Sequence, residues 1–281
     1  MSLPYRVLAL GAGGVRGFLH VGALQELERK CGTTLQKQFS HGVYGTSIGS
    51  ILATAIAFGM NATQIHTIAK KCLHAKQFVP SFASISVRRI LEDKGCSTMD
   101  EFERVIVDGF GSAGIHIQTK TLKDAIVPLH IVSSNITRGI PSVFEGNVPV
   151  ITALKASCCL PLMFTPIEYR DSLYVDGDVL CPVILNAIPS GLHPHTLVLN
   201  LRQHHMGITP KTIGQYNPIQ YMYRMYRMST TYQYRNVRHS SSIDLVYQNV
   251  SSISELSSET EDDMIFTAQS IVRDFFLRKN G

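Results

Sequence analysis

Gly45-Thr46-Ser47-Ile48-Gly49 is a G-x-S-x-G segment. It stands between a short apolar run ending at Val43 and Tyr44 and a longer one from Ser50 to Phe58. Strand, tight turn and helix form the setting in which this pattern presents a serine hydroxyl as a nucleophile. A turn that sharp presses backbone against backbone, so the flanking positions need residues without side chains. The helix that follows aims its amide groups and the positive end of its dipole at the serine, where they stabilise developing negative charge. A glycine-rich turn with an incidental serine has the same local sequence. The flanking apolar runs favour Ser47 as the nucleophile of an acyl-transfer reaction.

Gly11-Ala12-Gly13-Gly14-Val15-Arg16-Gly17 is the second segment of interest. Three chemistries use such a loop. A dinucleotide fingerprint requires glycine where this chain has Arg16, and a phosphate-binding P-loop ends in Gly-Lys-Ser/Thr, which is absent. The third is an oxyanion hole, in which backbone amides approach a substrate oxygen closely and stabilise a tetrahedral intermediate. Arg16 reads equally as an anchor for the loop or for an anionic substrate group, and as one half of a structural ion pair.

The base has two sources. Of the eleven histidines, His193, His195, His204 and His205 fall late in the chain, where a Ser–His–Asp triad places its base. None stands in a motif. The other source is Tyr174-Val175-Asp176-Gly177-Asp178. Leu173 to Val175 is strand-like and Asp176 ends it before a glycine turn, which projects a carboxylate at the rim of a sheet. Asp-Gly turns are common in their own right.

Taken together, these residues resemble the patatin-like phospholipase family. That family carries a glycine-rich loop near the N-terminus, a G-x-S-x-G elbow and a later Asp-Gly-Gly or Asp-Gly-Ala motif; Gly11 to Gly17, Gly45 to Gly49 and Asp176 to Asp178 stand in that order here. Ala153-Leu154-Lys155-Ala156-Ser157, followed by Leu160-Pro161 and Phe164-Thr165-Pro166, is similar to the stretch upstream of the family's aspartate. The likeness covers roughly residues 4 to 200. It implies a lipid acyl hydrolase of the phospholipase A type, working through a Ser47–Asp176 dyad and an acyl-enzyme, with Gly13 and Gly14 as the oxyanion hole and with no catalytic histidine, metal or cofactor. Two positions depart from the pattern. Ala12 replaces a glycine, and Asp178 stands where the family has Gly or Ala. A second carboxylate there either raises the pKa of Asp176 by repulsion or turns away to solvent, and the second is the expectation. A Ser–His–Asp esterase and a non-catalytic lipid-binding or scaffold protein are the competing classes.

The elements that must position these residues follow from periodicity. Arg6 to Leu10 reads as a buried strand, and Arg16 to Lys30 as a helix with Leu19, Ala23, Leu24 and Leu27 on one face. Ser50 to Phe58 is apolar nearly all round and should be a buried helix. Residues 61–108 look mostly helical. Pro128 to Ser133, Ser142 to Glu145, Ser172 to Val175 and Thr196 to Leu201 read as strands, with a helix from Val150 to Cys159. The alternation predicts a three-layer α/β/α sandwich with a largely parallel sheet. A single domain of residues 1–281 is expected, with the motif-bearing core over about 4–200 and a helical extension over about 201–281. In that extension Ile219, Met222, Tyr223 and Tyr226 share a helical face, which suits either a packed helix with snorkelling arginines, the preferred reading, or a lipid interface. Ser258 and Glu261 have capping-box spacing, ahead of an amphipathic closing helix through Met264, Ala268, Ile271, Val272 and Phe275.

Composition narrows the setting. With 44% hydrophobic and 17% charged residues, the chain can bury a sizeable core. A net charge of +5 suits contact with anionic lipid, while no Lys/Arg block is dense enough for nucleic acid. The six cysteines lack zinc or disulfide-framework spacing and read as reduced thiols. No stretch is long and apolar enough to span a bilayer, and the first residues do not read as a signal peptide. A cytoplasmic protein with peripheral membrane contact is the expectation.

Overall fold

The computed structural model describes residues 3–74, 87–202, 207–235, 239–247 and 256–280. Strand β1 (Val7–Leu10) has no exposed residue, which requires protein on both faces of its sheet. Its side chains alternate between two cores: Leu8 and Leu10 join the larger one, Val7 and Ala9 a smaller one. Strands β2 (Gly42–Thr46), β4 (Leu129–Asn135) and β9 (Thr196–Arg202) divide the same way, with Val43, Ile131 and Leu199 on one side and Tyr44, Val132 and Val198 on the other. The sheet is the middle of three layers.

The strand order is β10 (Ser242–Val246), β9, β1, β2, β4, β8 (Ser172–Asp176), β7 (Ile167–Tyr169), with β5 (Ile140–Phe144) also paired to β4. From β10 to β4 the strands are parallel; β5 and β8 pair antiparallel with β4, and β7 pairs antiparallel with β8. The expected α/β sandwich with a largely parallel sheet is the fold this chain adopts. Strand β10 lies within the stretch expected to be a helical extension. A separate parallel pair joins β3 (Gly95–Ser97) and β6 (Leu162–Phe164). These three-residue strands are too short for alternation to appear in the sequence, and β3 interrupts the helical run expected over 61–108.

The larger core is covered by α1 (Gly17–Cys31), α3 (Ile48–Ala57), α4 (Ala62–His74), α6 (Asp100–Gly111), α7 (Val150–Cys158) and α9 (Ser258–Asn280). Two short helices, α2 (Leu35–Gln38) and α5 (Val87–Asp93), complete this series. Every residue of α3 is buried. Its polar Ser50 and Thr54 survive there because each hydroxyl donates to the preceding turn, to Ser47 O at 2.6 Å and to Ser50 O at 2.8 Å. Helix α7 stops short of Pro161, which pushes the residue before it out of the helical region. The opposite face carries the 3-10 turn Ile184–Ala187, and Tyr234 of α8 (Pro218–Arg235) packs against the same core. Among the described residues no helix is long and apolar enough to cross a membrane.

Helix α9 starts one residue differently from the expected capping box. Ser257 is the cap, its Oγ accepting from Thr260 N at 3.2 Å. Glu261 is buried and faces Lys70 at 3.7 Å. Ser257 caps as a plain N-cap serine with Thr260 at the third position, and Glu261 lies one residue past the capping-box position. The helix then buries Met264, Ile265, Ala268, Val272 and Phe276 along α1. The two backbones touch at Gly22, where a methyl group would sit 2.2 Å from Ile265 O and 2.8 Å from its Cα. Gly22→Ala must therefore push the helices apart. A cost of about 1–3 kcal/mol is expected, read as a lowered Tm; an unchanged Tm would show that this contact does not hold α9 in place.

Candidate active site

Ser47 is the residue between β2 and α3, with φ 54° and ψ −128°. A side-chain-bearing residue at positive φ is strained by roughly 1–3 kcal/mol and is held only where its surroundings leave no alternative. Those surroundings are glycines. A methyl at Gly45 would lie 2.5 Å from Gly49 O and from Ser50 Cα; one at Gly49 would lie 2.2 Å from Leu10 O and 2.8 Å from Gly11 O. The elbow thus rests directly on the carbonyls that end β1 and begin the glycine loop. Ser47 N–H donates to Ser157 Oγ at 2.9 Å, and that hydroxyl donates to Val132 O at 2.6 Å. The serine itself is 9% exposed.

Asp176 ends β8. Strand β2 is parallel to β4 with Thr46 opposite Val132, and β8 is antiparallel to β4 with Asp176 opposite Ser133. The residue before the serine and the aspartate thus pair with consecutive residues of one strand. The end of α7 fixes the aspartate as it fixes the serine: Asp176 N–H donates to Cys159 O at 2.7 Å and Gly177 N–H to Ser157 O at 3.3 Å. Gly177 closes the gap, since a methyl there would meet Val132 O at 2.5 Å and Thr46 Cγ2 at 2.8 Å.

The Asp176 carboxyl is fully buried. Burial, and after it the charge of Asp178, push its pKa up from 3.8 to about 7; the Ser47 hydroxyl, the Asp178 N–H and Arg227 pull it back. Oδ1 accepts the Asp178 N–H at 2.9 Å. Oδ2 has no hydrogen-bond partner among the described residues, and catalytic hydrogen bonds commonly tighten only when substrate binds. A carboxyl that is about half ionised near pH 7 matches the requirement for a general base.

In the glycine loop, Gly11 N–H donates to Leu199 O at 3.0 Å and continues the β1–β9 pairing. Gly13 has no room for a side chain, because a methyl would fall 2.4 Å from Leu201 Cδ1. Gly14 has φ 57°. Arg16 is fully buried with no salt bridge among the described residues. Its Nη1 donates to Leu201 O at 3.4 Å, while Nε and Nη2 have no hydrogen-bond partner among the described residues. Burial, and next the charge of Arg227, lower its pKa to about 10. His20, which no sequence pattern singled out, is fully buried with Nε2 2.9 Å from Gly11 O. Burial holds its pKa near 4, so the ring is neutral and donates to that carbonyl from one turn along α1.

The weighed histidines fall elsewhere. His193 Nε2 bonds Ile188 O at 2.8 Å, and His193 and His195 precede β9. Strand β9 is parallel to its neighbours, so both lie about a strand's length, on the order of 20 Å, from the serine end of the sheet. His204 and His205 lie outside the described residues.

Asp178 corrects an expectation. It is 3% exposed and does not turn to solvent. Its carboxylate accepts from Arg227 Nη1 at 2.5 Å, Tyr226 Oη at 3.4 Å and Tyr234 Oη at 3.4 Å. An arginine and two phenols from α8 supply the solvation that water supplies elsewhere. The helix face expected to join Met222 with Tyr223 and Tyr226 is divided: Met222 is 58% exposed, while Tyr223 and Tyr226 are part-buried; the side chain of Ile219 lies outside the described residues. The tyrosine-rich spacing was visible in the sequence, but nothing local linked it to residue 178. All six cysteines are free and buried, and among the described residues no group of three or more His, Cys, Asp or Glu side chains could hold a metal.

A family model for patatin-like phospholipase matches residues 8–186. Over 143 residues the chain is 32% identical to a cUMP-AMP-activated phospholipase of Escherichia coli, covering 51% of this chain and 38% of that protein. Over 201 residues it is 26% identical to a cGAMP-activated phospholipase of Vibrio cholerae, covering 62% and 54%. The chain thus spans about half or less of the length of these two relatives. Its fold is similar to that of VipD from Legionella pneumophila, with a TM-score of 0.59 at 12% identity over 97% of this chain and 67% of that one.

Ser157 bonds both the Ser47 amide and Val132 O, so its hydroxyl cannot be removed without leaving two buried polar groups unpaired. Ser157→Ala is expected to cost about 1–3 kcal/mol, measured by denaturant unfolding. A midpoint equal to wild type would mean that the elbow amide finds another acceptor.

Proposed function

The chain belongs to the patatin-like phospholipase family, and on that footing we propose that it hydrolyses fatty-acyl esters of phospholipids with Ser47 as nucleophile and Asp176 as general base. The observation that carries this reading is the fully buried Asp176 carboxyl beside the Ser47 elbow, both held by the end of α7; burial raises its pKa to about 7.

In the first half-reaction Asp176 takes the hydroxyl proton as Ser47 Oγ attacks the ester carbonyl carbon. The oxyanion accepts hydrogen bonds from the amides of Gly13 and Gly14. Collapse of the tetrahedral intermediate breaks the ester C–O bond. The alcohol, a lysophospholipid, leaves with the proton returned by Asp176, and the acyl group stays on Ser47. In the second half-reaction Asp176 takes a proton from water as that water attacks the acyl carbon. The fatty acid departs and Ser47 recovers its proton. Reaching the ester in a bilayer requires a face that tolerates lipid. The outer side of α8 supports peripheral contact, with Tyr221, Met222, Met225 and Tyr232 exposed on a chain of net charge +5.

Hydrolysis of phospholipid and triacylglycerol by wild type, Ser47→Ala and Asp176→Asn tests the dyad. Both variants are expected to lose at least about a hundredfold in rate, and the wild-type rate should fall as pH drops through about 7 because the base is then protonated. Full activity in Asp176→Asn would remove it as the base. Met222→Glu/Met225→Glu is expected to lower activity on anionic vesicles several-fold and to spare a short-chain soluble ester; equal losses on both substrates would exclude α8 as a membrane contact.

A further inference from the structure

The side chain of Asp178 is held by α8 alone among the hydrogen-bond partners described: Arg227 Nη1 at 2.5 Å, Tyr226 Oη at 3.4 Å and Tyr234 Oη at 3.4 Å. Residues 226, 227, 230 and 234 recur at helical spacing, and Thr230 between them is buried. This face of α8 is therefore built around one carboxylate. The helix lies beyond residues 8–186, the part that matches the family model. Its counterpart Asp178 stands where the family pattern has Gly or Ala. The backbone of Asp178 in turn donates its N–H to Asp176 Oδ1 at 2.9 Å. A continuous path thus runs from the Arg227 guanidinium through Asp178 to the candidate base.

We infer that Arg227 is a positioning residue for Asp176, acting through Asp178, so that helix α8 sets the base strength of the site. This rests on Asp176 being the base. The charges around the pair are few and can be named. Asp178 follows Asp176 in the same turn. Arg227, Tyr223, Tyr226 and Tyr234 come from α8, and Arg16 from the glycine loop. Cys158 and Cys159 face Asp176 from the end of α7, and Cys181 faces Asp178. Burial first, and next the neighbouring carboxylates, keep the Tyr226 and Tyr234 phenols and these thiols protonated. Burial disfavours the Arg227 charge, yet Asp178 and the tyrosines around it hold its pKa above the ordinary arginine value. The charges that count for Asp176 are thus one carboxylate next to it and the Arg227 guanidinium behind it. Asp178 opposes ionisation of Asp176; Arg227 favours it. Removing either one has a predictable sign. Without Arg227 the carboxylate repulsion is uncompensated and Asp176 becomes harder to ionise. Without the Asp178 charge the guanidinium acts on Asp176 unopposed, which makes it easier.

The test is the rate of Ser47 labelling by a fluorophosphonate as a function of pH, in wild type, Arg227→Met, Arg227→Lys and Asp178→Asn. The midpoint is expected to rise by about one pH unit in Arg227→Met and to fall by a similar amount in Asp178→Asn. It should stay near wild type in Arg227→Lys, which keeps the charge. A purely structural role would lower the labelling amplitude in all three and leave the midpoint in place, and that result would overturn the inference. Shifts of the same sign in Arg227→Met and Asp178→Asn would overturn it too. If Arg227→Met fails to fold, Arg227→Lys and Asp178→Asn decide between the same outcomes. The dyad is judged separately on Asp176→Asn. If that variant labels like wild type, the dyad falls; if it does not label while the midpoints above stay fixed, only the coupling through Arg227 falls.

Discussion

Three backbone segments meet at the candidate site with no room for a side chain between them. Gly49 lies against the Leu10 and Gly11 carbonyls, Gly45 against the first turn of α3, and Gly177 against Val132 O and Thr46. Each contact is closer than any Cβ allows. The strand order makes the meeting possible, because β1, β2 and β4 deliver their C-terminal ends to one edge and antiparallel β8 returns Asp176 beside them. Glycine does the rest, letting a loop, an elbow and an Asp-Gly turn approach within hydrogen-bond range of common partners. The positive φ of Ser47 is the strain this arrangement stores, and the packed carbonyls around it keep the serine from relaxing.

The end of α7 ties the assembly together. Ser157 and Cys159 accept or donate bonds on both the serine side and the aspartate side. The candidate nucleophile and base therefore share one support and cannot drift independently. Burial of polar groups is the cost of such precision, and it is met almost wholly by backbone partners. Ser50, Thr54, Ser133 and Ser134 all turn their hydroxyls to carbonyls nearby. Arg16 departs from this, with two buried nitrogens that have no hydrogen-bond partner among the described residues, as do Thr46 Oγ1 and Asp176 Oδ2.

The core of the fold was legible because its signals are local. A buried strand shows as a continuous apolar run, as in Arg6 to Leu10 and Thr196 to Leu201, and α3 shows as an apolar segment of helical length. The elbow, the glycine loop and the Asp-Gly turn were legible for the same reason, since each needs glycine at a fixed offset. What stayed hidden depends on contacts between distant segments. Asp178 looked like a solvent-facing turn residue because its solvating partners lie 48 to 56 positions away. His20 looked like any histidine on an apolar helix face until its Nε2 proved to meet Gly11 O. The α9 cap fell on Ser257, whose Oγ accepts from Thr260 N, and not on the serine beside it. Strands β3, β6, β7 and β10 are short or lie at edges, where pairing rather than pattern decides.

The order of these parts along the chain carries a consequence for biosynthesis. Every residue of the candidate chemistry lies at or before position 178, but α8, which neutralises Asp178, and α9, which covers α1 and so backs the glycine loop, come after position 217. Chains leave the ribosome from the N-terminus and domains fold as units. Until α8 and α9 have emerged, the Asp178 carboxylate is solvated by water and the apolar face of α1 lacks its cover. The groups that hold Asp178 and back α1 are thus supplied only once residues 218–280 have been made.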